Sequence, residues 1–268
     1  MLAPKGLREC YYSEGKYLKE SSLFLNSKAG LIKYKFLNDR FAFTLAEVLV
    51  TLGIIGVVSA MTVPTLMQNY QKKSYVTQLH KVYNELLQAS MNLQADKNAV
   101  NLREAGLGSV DGSVNFIKNY FKVVQDCGKD PSPCFASGDY KKMDGTKYTN
   151  YDTSSENRYC FVLASGAAIS ITPHPDSSDN IVVEFGTDIN GKQGPNIIGR
   201  DVFGMYLYNN GVIDDYSVDV DSGREYIDPP LSEDVREKNF QSACNSSRPT
   251  WGHGCFGKIL NDNWEMTY

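Results

Sequence analysis

The chain has 268 residues, 42% hydrophobic and 22% charged, with 22 Gly and 10 Pro. This composition excludes a long disordered tail and a collagen-like repeat. Apolar residues gather at membrane-spanning length only once, which excludes a polytopic membrane protein. With 27 basic against 31 acidic residues the net charge is −4, so no broad basic field marks a nucleic-acid surface.

The charge is unevenly spread. Residues 1–42 carry eight Lys or Arg against four acids, net +4, which leaves net −8 on the other 226 residues. A basic leader, residues 1–42, therefore precedes an acidic body. Between them Val48–Gln71 runs for 24 residues without a charge. A helix needs about 20 mostly apolar residues to cross a bilayer, so this segment is expected to span a membrane once. Lys28, Lys33, Lys35 and Arg40 before it and Lys72, Lys73 and Lys81 after it give a slight bias that places the leader inside and the body outside. The run lacks the short apolar core and small-residue cleavage site of an ordinary secretory signal.

After Gln71 the pattern turns amphipathic, with Val76, Leu79, Tyr83, Leu86 and Leu93 on one stripe. One long helix is expected over 43–95, apolar all round in its first half. A globular head is expected over 96–268. Within it, Ser113–Val124 reads as a short helix with Val114, Ile117, Phe121 and Val124 on one face. Tyr159–Ala164 and Ala167–Thr172 flank Ser165-Gly166 as a hairpin, Ile181–Phe185 reads as a strand, and Phe203–Tyr208 and Val212–Ile213 flank Asn209-Asn210-Gly211 as a second hairpin. Residues 221–268 read as polar and irregular, anchored by Trp251 and Trp264. The fold class is α+β.

Six cysteines are present. Cys10 lies in the leader. Cys127 and Cys134, and Cys244 and Cys255, each bracket a loop with little core of its own and are expected to form disulfides. Cys160 lies among Tyr159, Phe161 and Val162 and reads as a buried strand residue. The competing reading is zinc, but no C-x₂-C occurs and His253 near Cys255 lacks a partner set.

The string Phe43-Thr44-Leu45-Ala46-Glu47, followed by the long apolar run and preceded by a basic leader, resembles the processing signal of type IV prepilins and pseudopilins. The resemblance covers about residues 40–95. A weaker one extends to the head, through Asp188-Ile189-Asn190-Gly191, Gly194-Pro195-Asn196 and Gly199-Arg200-Asp201-Val202-Phe203. Ala42 stands where the family more often has Gly. The resemblance implies a pilin fold, a long helix packed on a small antiparallel sheet. It implies cleavage between Ala42 and Phe43 by a prepilin peptidase and N-methylation of Phe43. It also implies assembly with other pilin or pseudopilin subunits on an inner-membrane platform, as a minor pilin or pseudopilin of a pilus-like or type II secretion-like filament. DNA or exported-protein cargo is left open. The rival reading is a membrane-anchored surface binding protein or adhesin that does not assemble.

In the resemblance, Glu47 pairs with the new amino group of a neighbour's Phe43, and Pro64 is a weak point in the helix. Residue chemistry alone gives Thr44-x-x-Glu47 as a capping box, and a bend or local melting at Pro64. Gly53, Gly56, Ser59 and Ala60 would let apolar helices approach closely. Asp188, Asn190, Asn196 and Asp201 form an oxygen-rich loop whose start echoes a calcium loop, although Gly199 stands where an EF-hand has Glu. A turn closed by Asx hydrogen bonds is the simpler reading. Calcium stays open because some pseudopilins hold it in such loops, and no other cofactor is expected. No G-x-S-x-G, P-loop or H-E-x-x-H motif is present, so no enzyme is expected.

Overall fold

The computed structural model describes residues 43–175, 180–219, 225–245 and 252–268. Ala42, Cys10 and Trp251 lie outside the described residues. The chain divides into two compact units, Met1–Leu52 and Gly53–Tyr268. The first helix, α1 (Leu45–Lys97), has 53 residues, about 80 Å at the rise of an α-helix.

Two compositions make this one helix. From Val48 to Met67 the large apolar side chains are exposed. Beyond Gln71 a single stripe turns inward, with Val76, Leu79, Val82, Leu86, Ala89 and Leu93 buried and Tyr83 packed beside them. The helix runs through Pro64 without interruption, where sequence reasoning expected a bend or melting. Proline removes one donor, which leaves the Ala60 carbonyl without its helical partner. The hydrogen bonds on either side hold the helical backbone.

A second helix, α2 (Val110–Tyr120), is capped by Ser109, whose Oγ accepts the Gly112 N–H at 3.1 Å. It ends earlier than the expected Ser113–Val124. Phe121 turns extended, and Val123–Gly128 forms strand β1, which pairs with β2 (Tyr159–Leu163). Val124 is 65% exposed instead of lying on a buried helix face. Adjacent β-branched residues at the helix end favoured the strand.

The sheet has six antiparallel strands in chain order: β1, β2, β3 (Ala168–Pro173), β4 (Ile181–Asp188), β5 (Val202–Tyr208) and β6 (Ile213–Asp214). Both expected hairpins form. Gly166 and Gly211 adopt the positive φ that their turns require, at 92° and 86°. Ile169, Ile171, Phe185, Met205 and Leu207 are fully buried in one core with the α1 stripe. Cys160 on β2 is fully buried, as its apolar neighbours predicted.

The C-terminal stretch differs from expectation. It holds a two-stranded ribbon, β7 (Val218–Asp219) with β8 (Glu225–Tyr226), then α3 (Glu233–Asn239), a π-helical turn Phe240–Cys244, and α4 (Cys255–Asn261). These helices are only seven residues long, too short to show a period. They are pinned from far away in sequence. Asp214, fully buried at the end of β6, accepts from Arg236 Nε at 2.8 Å and Nη2 at 2.7 Å. Its neighbour Asp215 accepts the backbone N–H groups of Gly254 at 2.8 Å and Gly257 at 2.6 Å, at the start of α4. Trp264 stacks on His80 of α1 at 4.0 Å between ring centroids and meets Tyr83 edge-on at 5.0 Å.

Candidate functional site

The start of α1 carries the first candidate site. Thr44 is the last residue before the helix and Glu47 lies in its first turn. The Thr44 N–H and hydroxyl donate to Glu47 Oε2 at 2.8 and 3.0 Å, and the Glu47 N–H donates to Thr44 Oγ1 at 3.2 Å. This is the reciprocal capping box that the sequence spacing allowed. The Phe43 nitrogen takes no part in these three bonds. Phe43, Leu45 and Leu49 are exposed, so the box stands at the head of a wholly exposed apolar surface. Gly53 and Gly56 have no atom within 4 Å of an added Cβ. Among the described residues nothing requires glycine there.

Among the described helices α1 is long and apolar enough to cross a membrane, and its apolar window is wholly unburied. A soluble core helix would bury that surface at about 25 cal/mol per Å².

Both expected disulfides form. Cys127 and Cys134 lie 6.2 Å apart between Cα atoms, and Cys244 and Cys255 lie 5.3 Å apart. The second joins the π-helical turn to α4. A Cβ on Gly199 would come within 2.7 Å of Cys255 Sγ, so only glycine lets that loop lie against the bridge. Among the described cysteines Cys160 is free, and burial pushes its thiol up to about 12.

The β4–β5 connection brings together the four oxygen-bearing residues chosen from sequence. Asp188 and Asp201 are fully buried. Asp188 Oδ2 accepts from the Tyr140 hydroxyl at 2.6 Å and Oδ1 from the Asn190 N–H at 3.2 Å. Asp201 Oδ1 accepts the Ile197 N–H at 2.7 Å and Oδ2 the Asn196 N–H at 2.8 Å. Burial is the main force raising both carboxyls. It pushes Asp188 up to about 8, with the neighbouring Asp201 adding to the shift. These are Asx-type closures of a loop, as the simpler reading held. Calcium fits poorly here. Every carboxylate oxygen of the loop already accepts a protein hydrogen bond, and a carboxyl near 8 carries little charge at neutral pH. The amide oxygens of Asn190 and Asn196 are buried without a hydrogen-bond partner, but two neutral oxygens alone are a weak cation site.

Sequence reasoning missed Tyr140, the donor that holds Asp188, and the Asp214-Asp215 pair that organises the C-terminus. Two adjacent acids directly after an apolar hairpin strand were the available sign, because such residues need partners when buried. No family model, curated protein or solved structure matches this chain.

Proposed function

We propose that this protein is a structural subunit, a minor pilin or pseudopilin, of a pilus-like or type II secretion-like filament. In this reading a prepilin peptidase cuts between Ala42 and Phe43, and α1 anchors the subunit in the cytoplasmic membrane with its head outside. The subunit then joins other pilins or pseudopilins on an inner-membrane platform. The observation that carries the reading is the Phe43–Glu47 start of an exposed apolar helix, with the only acid of the apolar segment one turn from the new N-terminus. The amphipathic second half of α1 packed against a small antiparallel sheet supports a pilin-like fold. Glycines at 53 and 56, unexplained by any contact among the described residues, suit close approach of a neighbouring helix.

The sequence of events follows from charge. While the leader is attached, the Phe43 nitrogen is an uncharged amide. After the cut it is an ammonium at the head of an apolar helix. An unpaired charge in lipid is costly, and a neighbour's Glu47 offers the opposite sign. The test is mass spectrometry of membrane-resident protein from cells with and without a prepilin peptidase. A mature chain beginning at Phe43, methylated on its amine and made only with the peptidase, is the expected result. Full-length protein still carrying residues 1–42 in isolated filaments would overturn the proposal.

A further inference from the structure

We propose that the head carries a saccharide-binding groove on the face of its sheet, a property separate from filament assembly. Strand register builds it. Ser170 on β3 pairs with Gly186 on β4, which pairs with Gly204 on β5. One step along, Thr172 pairs with Glu184, which pairs with Tyr206. Side chains alternate along a strand, so these two rows share one face. The first row is a floor of small residues; the second is a line of hydrogen-bonding groups. The segment bearing Tyr148 and Arg158 walls the groove on one side and Gly252 closes the other, leaving a cavity of about 260 Å³. This is just below the usual range for ligand sites, about 300–1,000 Å³, so only a small ligand fits.

The glycines are forced. A Cβ on Gly186 would run into the Tyr151 hydroxyl, and one on Gly204 would come within 2.8 Å of the Gly252 carbonyl oxygen. The packing that roofs the groove therefore depends on a bare floor.

The groove also holds groups that the fold does not use. Tyr206 lines the groove, and among the described residues no protein hydrogen bond engages its hydroxyl. The sole ion contact of Glu184 among the described residues is His174 Nε2, at 3.8 Å, beyond hydrogen-bond range. That nitrogen is itself buried without a hydrogen-bond partner. Arg158, by contrast, is held on Asn150 through both terminal nitrogens and lies over the Tyr151 ring at 5.6 Å. It shapes the wall and leaves fewer donors free.

Among the described residues the groove thus offers a carboxylate acceptor, a phenol, the hydroxyls of Thr172 and Ser155 and the amide of Asn157, beside the ring of Tyr148. One cation and one anion line the groove, so neither a bare anion nor a bare cation is favoured. A neutral ring bearing several hydroxyls meets this set. Its hydroxyls both donate and accept, and its ring edge lies against an aromatic side chain. A single pyranose unit fits the volume.

The test uses the full chain in detergent micelles and ligand-detected NMR with the methyl glycosides of glucose, galactose, mannose and N-acetylglucosamine. Glycine and inorganic phosphate serve as zwitterionic and anionic probes. We expect at least one glycoside to bind at millimolar concentration, and Tyr206→Phe and Glu184→Gln each to weaken it about tenfold, equivalent to about 1.4 kcal/mol. Tyr206→Phe removes a single unbonded oxygen, so its melting temperature should match the parent's and loss of binding will report contact with the ligand. Three results would overturn the proposal: no glycoside binds, glycine or phosphate binds in their place, or a glycoside binds both variants as it binds the parent.

Discussion

At the scale of single residues Glu47 has one partner in the isolated chain and, in the proposed reading, a second one in a filament. In the isolated chain it closes the capping box with Thr44. In a filament it would meet a neighbour's Phe43 ammonium. The two roles separate by substitution. Gln at position 47 keeps an oxygen for the Thr44 N–H, so it preserves the box, but it cannot neutralise an ammonium. Leu loses both and inserts into lipid more readily. If pairing governs assembly, Glu47→Gln and Glu47→Leu should both lose sheared filament or co-purified subunits while membrane levels and cleavage stay normal. Parental yields from Glu47→Gln would leave capping as the whole role. Asp188 gives a pH prediction. Its folded value, about 8, exceeds the unfolded value of about 3.9, so the folded state holds the proton longer. Its stabilising contribution is present below about pH 4 and is lost as pH rises through about 8. Between about pH 5 and 8 the parent's stability to urea should fall with rising pH, and Asp188→Asn should flatten that slope whatever it does to the absolute level. An unchanged slope would mean that Asp188 is ionised throughout. Arg236→Ala strands the buried Asp214 carboxylate and should cost about 3–5 kcal/mol, read from urea unfolding of the head. A cost under about 1 kcal/mol would show that Asp214 finds water or another donor.

At the scale of elements the two disulfides act differently. Cys127–Cys134 ties the end of β1 to the loop that follows it, whereas Cys244–Cys255 joins two short helical pieces. Loops closed over separations of seven and eleven residues correspond to about 2–3 kcal/mol each by chain entropy. Losing the second should do more. Cys244 and Cys255 are both buried, and α4 is otherwise held by the buried Phe256 and Ile259, by Asp215 and by the Lys258 pair with Glu237. Replacing both cysteines by serine should release α4 to early hydrogen exchange while β2–β5 stay protected. Exchange equal to the parent's would show that Asp215 and the buried Phe256 and Ile259 fix α4 without the bridge. Cys160, buried with its thiol pushed up to about 12, should resist alkylation in the native protein and react once it is denatured. Peptide mapping after labelling with and without denaturant measures this directly.

At the scale of the whole molecule, legibility followed the range of the forces. The long helix was readable because 24 uncharged residues and then an apolar stripe are local patterns. Both hairpins were readable from Ser165-Gly166 and Asn209-Asn210-Gly211, where the turn chemistry is carried by the turn itself. The end of α2 was misplaced because Val123 and Val124 suit either state until β2 is beside them. The C-terminal helices went unseen because Asp214, Asp215 and Trp264 hold them through contacts that are distant in sequence. The groove is a matter of register: Thr172, Glu184 and Tyr206 are unremarkable until the strands align. Loop chemistry makes one more prediction at this scale. Since every carboxylate oxygen of Asp188 and Asp201 is already taken, a chelator should leave the melting temperature unchanged at neutral pH. A drop reversed by added calcium would show that the loop opens to take an ion.

The order of the sheet has a consequence in time. Each strand pairs with the one just before it in the chain, from β1 to β6. No strand waits for a distant partner, so loop closure is short at nearly every step. A chain made N-terminus first can therefore lay down its sheet one strand after another, onto a helix that is already made. The last forty or so residues close back over earlier ones, when Arg236 finds Asp214 and Cys255 reaches Cys244. The C-terminal bridge becomes a latch that shuts last. A premature stop before Cys255 would leave a sheet already built and an unlatched end open to proteolysis.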